Sequence, residues 1–230
     1  MAVSRMFLAR RCAASMVLMA IVVTGATAVP AQADILDGSG AKKILANASN
    51  NALDKLAKPG AFYADTAVRI LLPGGKGKLA TKLIGISDKF GLTTKLTKSL
   101  NDAAGFAAQE AKPIFRTAVD GLKLSDVPGL ALKNDGATQY LKKSADTDLR
   151  AKIRPLIVSA LTKVGAYQQM DNLGKTGGLL SLAGMNKDSL TDSVTQQTMN
   201  GIYNYMGKEE ANLRGNAVGI GKAILDGIIK

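Results

Sequence analysis

Residues 93–111 read TTKLTKSLNDAAGFAAQEA. Leu96, Leu100, Ala103, Ala104, Ala107 and Ala111 recur at three- and four-residue intervals, the period of an α-helix with one apolar face. That face is narrow, and its alanines together with Gly105 leave room for a neighbouring helix to approach closely. Pro113 follows directly and suits the first turn of a second helix over 113–123, which carries Ile114, Phe115, Val119 and Leu122.

The same period extends in both directions. Upstream, residues 34–40 read as a short unstructured lead. Ser39 then caps a helix over 41–57, with Ile44, Leu45, Ala48, Ala52, Leu53 and Leu56 on one side and Pro59-Gly60 as its stop. Residues 61–92 are the least regular. Ala67–Leu72 is a short apolar run that fits an extended segment or one helical turn, and short helices are expected at Lys78–Ile84 and Ser87–Phe90.

Downstream, Ser125-Asp126 opens a short helix near 126–133, Asn134-Asp135-Gly136 makes a turn, and Ala137–Ala145 is helical. Asp146 opens a longer helix to Val164. Its apolar phase (Leu149, Ile153, Leu156, Ile157, Ala160, Leu161) persists through Pro155, which predicts a kink and not an end. Short helices within 165–187 are expected to break at Gly174 and Gly177-Gly178. Another long helix runs from Asp188 to about Leu213, and a terminal amphipathic one covers Ala217–Ile229. No alternating strand pattern and no fixed-period repeat appears. The expectation is an all-α, irregular multi-helix bundle of long and short helices, with the lead and first helix (34–60) packed onto 61–230 as one domain.

The first 33 residues have the layout of a secretory signal. Arg5, Arg10 and Arg11 form a positive start, an apolar run follows from Cys12 to Val29, and Ala31-Gln32-Ala33 forms a small-residue cleavage box after Pro30. The apolar run is about 18 residues long and diluted by Thr24, Gly25 and Thr27, so a cleaved leader fits better than a retained anchor. The mature chain is then expected to begin at Asp34, in the periplasm, with no transmembrane segment. Cys12 is the only cysteine and leaves with the leader, so stability must come from core burial and not from disulfides.

Composition limits the chemistry. The 230-residue chain has 30 Lys and Arg against 18 Asp and Glu, a formal net charge of +12, and neither histidine nor tryptophan. Ser-His-Asp and Cys-His nucleophilic sites, zinc sites of the usual His/Cys type, histidine-ligated haem and iron–sulfur clusters all lack their residues. No metal or cofactor is expected. The lysines are spread out with no basic–aromatic cluster, which argues against nucleic acid and leaves a solvated surface or an anionic envelope partner. Pro73-Gly74-Gly75-Lys76-Gly77-Lys78 lacks phosphate-loop spacing and reads as a glycine turn.

Glutamate is the informative scarcity, because a lysine-rich helical protein normally uses many. There are three: Glu110, Glu209 and Glu210. Glu210 stands four residues before Arg214, one helical turn away, and arginine is preferred over lysine for fixed pairs. Glu110, Glu209, Glu210 and Arg214 are therefore the candidate polar network, with Glu110 expected near the end of the 188–213 helix.

Ala108-Gln109-Glu110-Ala111-Lys112-Pro113-Ile114-Phe115 resembles the A-x-E-A-K-P-I-F core of a bacterial envelope family catalogued as domain of unknown function 4197. The resemblance continues through Asp135, Thr138 and Tyr140, then Pro155–Val158, Asp188, Val194-Thr195, Gly201, Tyr203, Glu209-Glu210 and Arg214. Ala61–Asp65 and Leu72-Pro73 are similar to its entry segment, so the likeness covers most of 61–230. Gly74-Gly75, Arg116 and Gly215-Asn216-Ala217 depart from it. The resemblance implies an exported, mainly helical protein; it assigns no catalytic residue, and it adds Asp135, Thr138 and Tyr140 as lesser candidates. Three functions stay open: a non-catalytic module binding a partner protein or envelope component, a carboxylate-dependent enzyme using Glu110 or Glu209/Glu210 with Arg214, and a binder of anionic membrane surface or envelope polymer.

Overall fold

The computed structural model describes residues 38–73, 91–123, 133–175 and 185–228. Those residues form seven helices and no strand: α1 (Gly38–Leu56), α2 (Ala61–Ala64), α3 (Leu92–Glu110), α4 (Lys112–Asp120), α5 (Gly136–Lys163), α6 (Ala166–Lys175) and α7 (Lys187–Ile228). The all-α expectation holds. The leader, the glycine turn after Pro73, the helices at Lys78–Ile84, Ser87–Phe90 and 126–133, and the break at Gly177-Gly178 lie outside the described residues.

The 42-residue α7 is the spine, about 63 Å long at 1.5 Å per residue. α1 and α5 pack along it, α3 packs on α5, α4 bridges α1 and α5, and α2 sits on α3. The narrow face of α3 is buried as its spacing predicts, from Leu96 through Ala111. α1 contributes Leu45, Ala52, Leu53 and Leu56 to the same core. Gly201 on α7 marks the closest approach. A Cβ there would lie 2.9 Å from the Phe62 ring and 3.3 Å from Val68 Cβ, so no larger residue fits without displacing a buried phenylalanine.

Four boundaries differ from expectation. α1 begins at Gly38, so Ser39 lies within the helix and does not cap it. The helices expected at 137–145 and from 146 are one, because Asp146 does not start a helix. It sits mid-helix and receives Arg150 from the next turn, Nε to Oδ2 2.7 Å. Pro155 stays within α5 on its exposed side, beside exposed Ala151, whose carbonyl loses its helical partner where water is at hand. Likewise α7 runs unbroken through Gly215, and α6 continues through Gly174. A single glycine costs a helix only about 1 kcal/mol, too little to end one that packing supports.

Of the two readings of Ala67–Leu72, the extended one applies at its end. After a turn at 66–68 the chain passes between α3 and α7. The Asn101 side-chain amide accepts from Ile70 N–H (2.8 Å) and donates to Ile70 O (2.9 Å). Gln197 does the same for Leu71, at 2.9 Å in both directions. Two side-chain amides thus pair the strand-like backbone on alternate sides, as neighbouring strands would.

Candidate functional site at the α5–α7 seam

α5 begins with unpaired N–H groups, as every helix does, yet its N-cap residue Asp135 makes no side-chain cap. Glu210, from α7, does that work. Its Oε1 accepts from Ala137 N–H (3.0 Å) and its Oε2 from Thr138 N–H (2.7 Å). Arg214 donates from Nε to Oε1 at 2.9 Å, and its Nη2 stands 2.8 Å from the same oxygen as an ion pair, without the alignment of a hydrogen bond. Glu210 is fully buried and Arg214 nearly so. The positive end of the α5 dipole and the guanidinium together offset the desolvation of the carboxylate.

Glu209 points the other way. Its carboxylate pairs with Lys55 of α1, tying α1 to α7. Glu110 stands apart from both. It is exposed at the end of α3, on the side carrying Phe106 and Gln109, while Ala107, Ala108 and Ala111 face inward. The expected four-residue network is therefore corrected to a buried Glu210–Arg214 pair plus a separate Glu209–Lys55 pair, and Glu110 belongs to neither. Of the lesser candidates, Thr138 supplies a backbone N–H to Glu210. Asp135 lies next to this node, its Oδ2 accepting from Gln139 Nε2 at 2.9 Å. Tyr140 is elsewhere, half-buried in a second pocket between α4 and α5.

Beside this node the antiparallel α5 and α7 leave an open cleft of about 480 Å³, lined among others by Asn134, Lys142, Asn200, Tyr203, Asn204 and Lys208. Gly207 lets the walls meet there, since a Cβ on it would lie 3.3 Å from Asp135 Cβ. Lys142 Nζ lies 5.5 Å from the centre of the Tyr203 ring and Lys208 Nζ 5.2 Å from that of Tyr205. The Tyr203 ring is fixed edge-on to Phe115, 6.3 Å between centres. Its hydroxyl and Asp146 Oδ1 are buried beside one another, outside ideal hydrogen-bond geometry, and the hydroxyl proton is directed at that carboxylate. Burial first, and the nearby Asp146 carboxylate second, push the Tyr203 hydroxyl well above its ordinary pKa, so this group stays a proton donor and is no base.

Further along the seam the charges are matched. Arg150 holds Asp146, with its Nη2 3.4 Å from Asn200 Oδ1. Arg154 spans Asp188 (3.3 Å) and Asp192 (2.8 Å).

The cleft residues were missed by a reading of rarities and apolar faces. A signal for them exists: Asp135, Gln139, Lys142, Asp146, Arg150 and Arg154 recur at helical spacing as a polar stripe along α5. Among the described residues no group of three or more His, Cys, Asp or Glu could hold a metal, and no helix is long and apolar enough to cross a membrane.

Residues 32–229 match the family described as Protein of unknown function (DUF4197), so the chain belongs to that family. The match begins well ahead of Ala61 and takes in α1. No curated protein and no solved structure matches the chain.

Proposed function

We propose that this is an exported, non-catalytic binding module of the bacterial cell envelope, and that it recognises its partner through the α5–α7 cleft. One observation carries the reading: the rare carboxylates are spent on the scaffold or stand alone, while the cleft beside them presents lysines without an ion pair. Glu210 caps α5, Glu209 ties α1 to α7, and Glu110 is isolated. A carboxylate-dependent enzyme would need these groups to converge on open space. Export rests on the charged, apolar and small-residue segments of 1–33. The family match starting at residue 32 supports a division at that point.

Photo-crosslinking in intact cells tests the reading. A photoreactive residue at Asn204, in the cleft, is expected to capture a discrete envelope species. The same residue at exposed Gln168 on α6 is expected to capture none. Equal capture from both positions, or a cytoplasmic location on fractionation, overturns it. Mass spectrometry of the exported protein is expected to give Asp34 as its first residue.

A further inference from the structure

We propose that the end of the α5–α7 cleft nearest the α5 N-terminus binds a phosphoryl-type oxyanion, held by Lys142 and Lys208 with side-chain amides around them. This inference rests on the binding-module reading and names the ligand class.

The charge pattern points there first. Along the 146–154 half of the seam, each arginine already holds a carboxylate. In the 134–142 half, Lys142 and Lys208 hold none and lie over tyrosine rings. Asp135, the acidic residue lining that half, is hydrogen-bonded by the neutral Gln139 amide and keeps its charge, so two lysines stand against one carboxylate. Asp65 acts on Lys208 only through space, its carboxylate being taken by Tyr205 and the Ala67 N–H. Both side chains line the cavity, and their ammonium groups rest over rings at its two edges; two flexible cations flanking a shallow cavity attract an anion more strongly than the same charges on open surface.

The donors then select the kind of anion. Asn134, Asn200 and Asn204 line the cleft with amide groups, and Asn200 directs its oxygen to Arg150, which leaves its amide nitrogen to donate. No arginine lines this half. A planar carboxylate is best matched by the arginine fork, whereas lysine acts as a point charge suited to a rounder phosphate. A space of about 480 Å³ holds a phosphoryl group and part of what it is attached to.

The test is titration of the purified protein with inorganic phosphate at fixed ionic strength, followed by amide NMR, with acetate and chloride as comparison anions. Saturable shifts confined to residues 134–142 and 200–208, larger for phosphate than for acetate, are expected. Lys142→Met and Lys208→Met should each weaken phosphate binding about tenfold, the loss expected of one charge-assisted contact, while exposed Lys143→Met leaves it unchanged. Shifts scattered over the lysines, or equal for acetate, overturn the proposal. Vesicles of phosphatidylglycerol and of phosphatidylcholine separate the sources. Sedimentation with the former alone, lost in the two lysine variants, identifies a lipid headgroup; phosphate binding without sedimentation identifies a soluble or polymer-borne phosphoryl group. If Asn204 crosslinks a partner but phosphate fails to bind, the ligand class falls and the binding reading stands. If phosphate binds but no partner is captured, the site stands and the proposed partner role falls.

Discussion

The two halves of the α5–α7 seam are built from the same materials to different ends. In the half around residues 146–154, Arg150 and Arg154 meet Asp146, Asp188 and Asp192, so opposite charges close the surface on itself. In the half around residues 134–142, the carboxylate that counts is withdrawn into the core as Glu210, and its arginine goes with it. Lys142 and Lys208 are left at the rim without ion pairs. Burying one acid–base pair thus fixes the helix ends and leaves the nearby surface positive. The difference teaches that a scarce glutamate can matter to a site by leaving it.

The largest expected effect comes from breaking the buried pair. Arg214→Ala leaves the Glu210 carboxylate buried and unpaired, at a cost of about 3–5 kcal/mol, read as a lower midpoint in urea denaturation. Lys143→Ala, on the exposed side of α5, is the control and should have almost no effect. Equal losses in the two variants would show that Glu210 reaches solvent and that the seam has no buried half. Next in size is Gly201→Ala. The new methyl meets the Phe62 ring at 2.9 Å, and overpacking of this kind costs about 1–3 kcal/mol. The cleft residues are not touched, so phosphate titration should still give localised shifts at lower thermal stability. Loss of those shifts would mean that the cleft depends on the α2–α7 contact as well.

How far these halves could be read in advance follows from what each is made of. The apolar period located α1, α3, α4 and most of α5 and α7, because burial of a stripe such as Leu96–Ala111 is written into its spacing. It overcounted helices at Asp146 and near Gly215, since a capping residue or a glycine marks an end only where packing does not carry the helix through. The scarcity of glutamate led to the Glu210–Arg214 pair, which is local in sequence. Its true partner, the N-terminus of α5, is more than seventy residues away, and nothing local encodes it. Glu110 is misplaced because only the apolar members of the Ala108–Phe115 motif, Ala108, Ala111 and Phe115, turn inward, while Glu110 turns out with Gln109. The cleft lysines carried no rarity at all; the polar stripe that places them looks like any solvated face until α7 is laid against it.

On the charge-matched half, Arg154→Ala is expected to do little. The guanidinium and both its carboxylates are largely exposed, and exposed pairs contribute little once side-chain ordering and screening are counted. The denaturation midpoint should stay close to that of the parent protein, and any small loss should vanish in high salt. A loss as large as that of Arg214→Ala would erase the contrast between the two halves.

The smallest effect sharpens the open half through acid titration of Asp65. Its Oδ1 accepts from the Ala67 N–H at 2.9 Å and its Oδ2 from the Tyr205 hydroxyl at 2.8 Å. These bonds favour the charged form and, with a lesser contribution from Lys208, hold its pKa below the ordinary 3.8. Because the folded value is the lower one, the contribution to stability is complete above the unfolded pKa and is lost as pH falls through the folded value. The difference in melting temperature between the parent protein and Asp65→Asn should therefore be constant near neutral pH and shrink on acidification, starting near pH 3.8. The group is exposed, so the difference is small throughout. Lys208→Met removes the weakest of the favourable influences and should move the acid transition slightly upward, without abolishing it. A transition unmoved by that substitution would place Lys208 beyond electrostatic reach of Asp65. Bound phosphate should bring the parent protein closer to the Lys208→Met behaviour, because an anion beside the lysine offsets its charge. An acid transition indifferent to phosphate would place any bound anion away from Lys208.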